Sequence, residues 1–184
     1  MYGAALLLAM MVTQTAAPPC WVRGDRAGLS ERPSPLDSVM ATVGQDTIKV
    51  CYSRPSARGR EIVGDLVPFG QPWRLGANEA TTLHLTGPMM IGDVSIGPGS
   101  YTLYVVPDRE HWQVVVNETV ERWGVPINEE IRQADVGVAH GMVETLDQPV
   151  EMLTLRLQRS GNALDLLIEW ERTRVRVPVR PVSS

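Results

Sequence analysis

Towards its C-terminal end the chain alternates with a period of two. Leu153, Leu155 and Leu157 are interleaved with Thr154, Arg156 and Gln158. Leu164, Leu166, Ile168 and Trp170 are interleaved with Asp165, Leu167 and Glu169, and Val175, Val177 and Val179 with Arg174 and Arg176. Side chains two apart share one face of an extended strand. Each run therefore has one face to bury and one to wet, as in antiparallel sheets covered on one side.

The same pattern opens the domain. Val39 to Val43, the turn residues Gly44-Gln45-Asp46, and Thr47 to Tyr52 read as a hairpin. Ile48, Val50 and Tyr52 share its apolar face; Lys49 and Cys51 point the other way. Met89-Met90-Ile91 and Val94-Ser95-Ile96 flank Gly92-Asp93, a two-residue turn signal. Tyr101 to Val106 and Trp112 to Val116 follow as β-rich runs, and strands resume at Gly141 to Thr145, Glu151 to Gln158, Ala163 to Trp170 and Val175 to Val179. Asn128 to Ala134 reads as one short helical turn capped by Asn128. The expected fold is all-β: a single antiparallel β-sandwich, jelly-roll-like or Ig-like, with one long irregular loop and at most a short helix. A half-open barrel is the alternative.

Composition agrees. The 184 residues are 43% hydrophobic and 21% charged, enough apolar material for one core and too much for disorder. Gly 16 and Pro 14 suit a turn-rich chain. The net charge of −4 speaks against a nucleic-acid partner held by phosphate charge. Lys49 is the only lysine among 17 basic residues, so no arginine is an anion ligand merely by its type.

Ala4 to Val12 is almost continuously apolar. Nine residues are too few to span a bilayer, where about 20 are needed, but they suit the core of a secretory signal. Thr15-Ala16-Ala17 reads as a cleavage region. The expected organisation is an export segment over 1–20, a linker over 21–35, a β-sandwich over 36–180 and a tail over 181–184, in a protein exported to the periplasm, the outer surface or the medium. No membrane span is expected elsewhere. Cys20 offers a lipidation site, and so a lipid anchor. Cys20 lies in the signal or linker and Cys51 in a strand, so the two are not expected to pair. They form no zinc motif.

Ser53 to Thr81 is the long irregular loop, dense in polar and aromatic groups. Such excursions from rigid β scaffolds commonly carry function. Arg54, Arg58, Arg60 and Arg74 offer guanidinium forks for anionic oxygens, Asn78 and Glu79 can bind hydroxyls, and Tyr52 and Trp73 offer stacking surfaces. These eight residues are the candidate binding set, for a small polar or anionic ligand. The competing reading has them satisfy one another: Glu79 paired with Arg74 or Arg60, Asn78 on loop backbone, Trp73 plugging one end of the sandwich. Asp65 with Glu79 is the candidate carboxylate pair for hydrolysis. Tyr101, Tyr104, Trp112, Trp123 and Trp170 read as core aromatics. His84, His111 and His140 lack metal-site spacing, and Gly97-Pro98-Gly99 is a turn without a phosphate-loop continuation, so no metal or cofactor is expected.

Tyr52-Ser-Arg-Pro55, Gly59-Arg60, Leu66-Val-Pro68 and above all Trp73-Arg-Leu-Gly-Ala-Asn-Glu-Ala-Thr81, with Gly99-Ser-Tyr-Thr-Leu-Tyr104 and the stretch from Trp170 to Pro178, carry a resemblance. Over roughly Ser34 to Val179 the chain resembles a bacterial family of exported proteins known as domain-of-unknown-function family 2911. The resemblance implies a β fold and export. It implies no activity. The functional expectation is an exported protein that binds a small ligand or an envelope component through Arg54–Thr81. The alternatives are a hydrolase of a carbohydrate or envelope polymer with Glu79 as acid/base, and a structural or interaction protein with no small-molecule site.

Overall fold

The computed structural model describes residues 17–182. The apolar run Ala4 to Val12, most of the expected cleavage region and the last two residues of the tail lie outside them. Nine antiparallel strands form one sheet: β1 (Leu36–Val43), β2 (Asp46–Ser53), β3 (Thr81–Leu85), β4 (Met89–Ile91), β5 (Val94–Ile96), β6 (Gly99–Val106), β7 (His111–Asn117), β8 (Asp135–Ser160) and β9 (Ala163–Pro181). The spatial order is β1-β2-β3-β6-β7-β8-β9-β4-β5. One helical turn, α1 (Glu129–Arg132), precedes β8; the Asn128 side chain accepts from Ile131 N at 3.1 Å, as a cap should. The all-β antiparallel expectation holds, with the strands in a single continuous sheet.

That sheet cannot be flat. β2 and β8 are four places apart in it, about 19 Å at the usual strand spacing. Yet Leu155 N donates to Tyr52 Oη at 3.0 Å, and Ser56 bridges Met152. The sheet curls until the far half of β8 meets the end of β2. Ile48, Val50, Leu83, Leu103, Val114, Leu155, Leu166 and Val177 all enter one core.

The curl is made at a corner. Four strands were expected between Gly141 and Val179; the structure has two long ones. They pair at Thr145↔Thr173, Val150↔Glu171 and Thr154↔Glu169. Nine steps of β8 thus run beside four of β9, so the ribbon bends with β8 outside and β9 inside. Glu171 takes φ +51 at the inner turn. Across the bend Arg176 Nη1 meets Asp165 Oδ2 at 2.5 Å. Eleven residues of straight strand would separate those positions by about 36 Å.

The 21–35 stretch, expected as a linker, lies as a strap against the polar outer face of the sheet. Arg32 Nη1 reaches Glu79 Oε2 at 2.7 Å, and Asn78 Nδ2 donates to Ser34 O at 3.2 Å. The cysteine expectation is corrected. Cys20 and Cys51 form a disulfide, with Cα atoms 5.6 Å apart. Cys51 does face away from the core, and that is why the strap can reach it. With its sulfur in the bridge, Cys20 has no thiol for a lipid thioether, so the expected lipidation site is withdrawn.

Candidate functional site

The eight candidate residues do not converge. They fall in four places.

Tyr52 and Arg54 hold the sheet's closure. Tyr52 is buried and accepts the Leu155 N–H; burial pushes its phenol pKa above the ordinary value. Arg54 donates from Nε to Leu153 O at 3.0 Å and from Nη2 to Thr154 Oγ1 at 2.8 Å, and pairs with Asp37 at 3.3 Å. Its fork is occupied by the fold. Trp73 is likewise internal machinery. Its backbone bridges Val105, and its ring stacks on Trp170 with centroids 5.5 Å apart and planes 19° apart.

Arg74, Asn78 and Glu79 lie in a contorted loop. Leu75, Gly76 and Asn78 have φ +51, +156 and +60, values that cost most residues free energy. A Cβ at Gly76 would stand 3.1 Å from Ser53 O and from Thr81 Oγ1, so the loop packs directly on β2. A second irregular segment, 118–127, zips onto it: Gly124 N donates to Asn78 O at 2.8 Å and Ala80 N to Arg122 O at 3.1 Å. Asn117 anchors that segment through Ile131 O, Asp135 Oδ1 and Thr119 N.

Glu79 is 4% exposed, with both oxygens engaged. Oε1 accepts from Arg23 N at 2.9 Å, and Arg32 Nη1 lies against both. Burial alone would raise its pKa, but Arg32 and the Arg23 N–H outweigh that and leave it below the ordinary carboxylate value. Its partner is therefore neither Arg74 nor Arg60. Arg74 donates from Nε to Gly76 O at 3.0 Å, and burial lowers its pKa. Arg60 folds back on Ala57 O and Ser56 O. Asp65 sits exposed on the turn that Gly64 N closes onto Val67 O and shares neither of Glu79's partners, Arg23 N and Arg32. A carboxylate held ionised and enclosed in this way is a poor proton donor.

Arg60 opens on something the sequence did not indicate, a groove of about 590 Å³ at the ribbon corner. One wall is Ala57 to Val63; the other is Pro149-Val150-Glu151 and Glu171-Arg172-Thr173. Arg58 belongs to the first wall's turn, with φ +53, and its N–H donates to Glu151 Oε1 at 2.9 Å. Ile62 N donates to Glu171 Oε2 at 3.2 Å, and Arg172 Nη1 to Asp147 O at 2.9 Å. Arg60, Glu61, Glu151, Glu171 and Arg172 thus share one concavity, and no salt bridge joins any of them to a described residue.

The contrast lies a few residues along the same ribbon. Arg156, Arg174 and Arg176 face Glu144, Asp165 and Glu169, and all six charges are paired, at 2.5 to 3.6 Å. Glu169 is 3% exposed and held by two arginines. Three cations and three anions close that network.

Glu61, Glu151, Glu171 and Arg172 were missed because a bend brings them together across about 110 residues. The one trace in the sequence is a change of phase. The positions that enter the hydrophobic core are even-numbered from Leu164 to Trp170 and odd-numbered from Val175 to Val179. Among the described residues, no group of three or more His, Cys, Asp or Glu side chains is placed to hold a metal ion. None of their helices is long and apolar enough to cross a membrane.

The molecule is all-β, with a curled sheet, a strapped outer face and a charged groove at its corner. The chain belongs to the family described as Protein of unknown function (DUF2911), whose model matches residues 34–179. No curated protein and no solved structure matches it.

Proposed function

We propose that this is a binding protein of an oxidising, extracytoplasmic compartment, which takes a small polar ligand of mixed charge in the groove at the β8–β9 corner. The observation that carries the reading is the set Arg60, Glu61, Glu151, Glu171 and Arg172. These five charges share a concavity without salt bridges, beside a stretch of the same ribbon where Arg156, Arg174 and Arg176 pair with Glu144, Asp165 and Glu169. Two guanidinium groups and three carboxylates suit a ligand with both an acidic and an ammonium group, such as a free amino acid, a short peptide or an amino sugar acid. The volume is in the range of small-molecule sites. Export is supported by the Cys20–Cys51 pairing, since such bonds persist mainly outside reducing compartments, and by the apolar run at Ala4 to Val12.

No observation favours the hydrolase alternative with Glu79 as acid/base. The test is a thermal-shift screen of the whole chain with amino acids, short peptides and amino sugars, repeated on Arg60→Ala and Glu171→Gln. A ligand that raises Tm by about 2 °C or more in the wild type and fails to do so in both variants is the expected result. No shift with any mixed-charge ligand, or equal shifts in the variants, overturns the reading.

A further inference from the structure

Four buried side-chain polar atoms have no hydrogen-bond partner among the described residues: Thr82 Oγ1, His84 Nε2, Trp112 Nε1 and Arg122 Nε. Three of them meet on one face. Thr82 lies between Cys51 and Thr102 in the sheet, and His84, two residues on, between Lys49 and Ser100. Arg122 comes over from the 118–127 segment, its Nη2 at 3.5 Å from Thr102 Oγ1. Thr82 is 5% and His84 6% exposed. This is the outer face of the sheet, opposite the core, where polar side chains ordinarily meet water.

The strap is what covers it. Cys20 is bonded to Cys51, the neighbour of Thr82, and Lys49 Nζ donates to Pro18 O at 2.8 Å beside His84. Closing the strap takes water from Thr82 and His84 and gives no partner in exchange, which costs free energy. The covalent bond holds down a cover that the surface beneath it does not favour. The far end of the strap is fixed independently, by Arg23 N and Arg32 on Glu79 and by Ser34 O on Asn78.

The positions of the covered face on β2 and β3 are Lys49, Cys51, Thr82 and His84, followed on β6 by Ser100, Thr102 and Tyr104; Asp135, the carboxylate that acts on Arg122, is already bonded by Tyr104 Oη at 2.5 Å and Asn117 Nδ2 at 2.8 Å. Arg122 Nε can only donate, and the Thr82 hydroxyl can donate. His84 Nδ1 is engaged with Ser100 Oγ at 2.8 Å, leaving Nε2 towards the covered space.

We infer that the N-terminal end of the strap is a redox-released lid, and that the face it covers binds a small oxyanion, a carboxylate or a phosphate, through Thr82, His84 and Arg122. Release needs a dithiol. The Cys20–Cys51 bond accepts two electrons and two protons and becomes two thiols, while the dithiol closes to its own disulfide. The end at Pro18 to Trp21 then swings away, and Arg23, Arg32 and Ser34 keep the rest in place. The inference is independent of the groove at the ribbon corner.

The test uses the whole chain, air-oxidised and dithiothreitol-reduced, and the Cys20→Ser/Cys51→Ser variant. Each is titrated with acetate and with inorganic phosphate, following heat and the His84 ring resonances by NMR. The reduced protein and the double variant are expected to bind one of the two at least about tenfold more tightly than the oxidised protein, with the His84 ring shifting. Thr82→Val and His84→Leu are each expected to remove that gain. Acetate and phosphate distinguish a carboxylate from a phosphate site. Equal response in both redox states overturns the inference, as does a gain that survives both substitutions. Loss of the β circular-dichroism signal on reduction also overturns it, because the strap would then be a staple for the whole fold and not a lid.

Discussion

Arg32 and Glu79, 47 residues apart, are the closest ionic link between the strap and the sheet, with Nη1 2.7 Å from Oε2. The pair is largely enclosed, at 22% and 4% side-chain exposure. Arg32→Ala leaves a buried carboxylate with only the Arg23 N–H, and a cost of about 2–4 kcal/mol is expected in urea unfolding. The double variant Arg32→Ala/Glu79→Gln is expected to recover part of that loss, because no unpaired charge remains. Additive losses would show that the two side chains are not coupled.

The same carboxyl gives an acid limb. Its pKa in the fold is depressed, so the stability it contributes is complete above the unfolded value, about 4.3, and is lost as pH falls through the folded value. Below about pH 4 the wild type should lose stability more steeply than Glu79→Gln. Urea titrations between pH 3 and 6 check this.

His84 acts in a higher window. Burial, and then Lys49, lower its pKa below the ordinary histidine value. The unfolded chain therefore takes up a proton first as pH falls. Stability is expected to start declining near pH 6.5 and to stop once the folded ring also protonates, with a slope of at most about 1.4 kcal/mol per pH unit. His84→Gln should flatten that part of the profile. An unchanged slope between pH 7 and 5 would show that the ring is not held neutral.

Trp73 and Trp170 belong to segments about a hundred residues apart and stack face to face. Trp170 also donates from Nε1 to Glu151 O at 3.1 Å, fastening the stack to the groove wall. Trp170→Ala is expected to cost about 3–5 kcal/mol. Trp170→Phe should cost less, keeping a ring but losing the hydrogen bond. The near-ultraviolet circular dichroism of the paired indoles should disappear in both variants.

Gly124 is where the two irregular segments touch. A Cβ there would stand 2.6 Å from Arg74 Cδ and 3.0 Å from Asn78 O. Arg74 can move; the Asn78 carbonyl, held by its own hydrogen bond from Gly124 N, cannot easily. Gly124→Ala is expected to cost about 1–3 kcal/mol, only partly relieved by adding Arg74→Ala. Full relief would place the whole conflict on the arginine.

The period-two runs at Leu153 to Leu157, Leu164 to Trp170 and Val175 to Val179 are all strand in the structure, and Gly92-Asp93 turns β4 into β5 with Gly92 at φ +58. Local side-chain alternation was enough for these. What it could not carry was where a strand bends, because alternation specifies faces and not direction. The charged groove exists only because β8 and β9 bend beside the Ala57–Val63 wall. Arg32 and Cys20 lie in a stretch with no period, so nothing nearby in the sequence marks one as Glu79's partner or the other as Cys51's. The eight residues of the candidate set have chemical type in common, not a place in the fold. Arg54 and Trp73 show that a fork or a ring serves closure as readily as recognition.

The corner of the ribbon resembles two lanes of a running track. The outer lane, from Thr145 to Thr154, includes the exposed run Asp147-Gln148-Pro149, while the inner lane turns on Glu171 alone. Extra residues spliced after Asp147 would lengthen a path that is already slack, whereas one added beside Glu171 would throw Val175, Val177 and Val179 out of the core. This gives the molecule a natural insertion point, where a peptide tag or a fluorescent reporter can be grafted next to the groove.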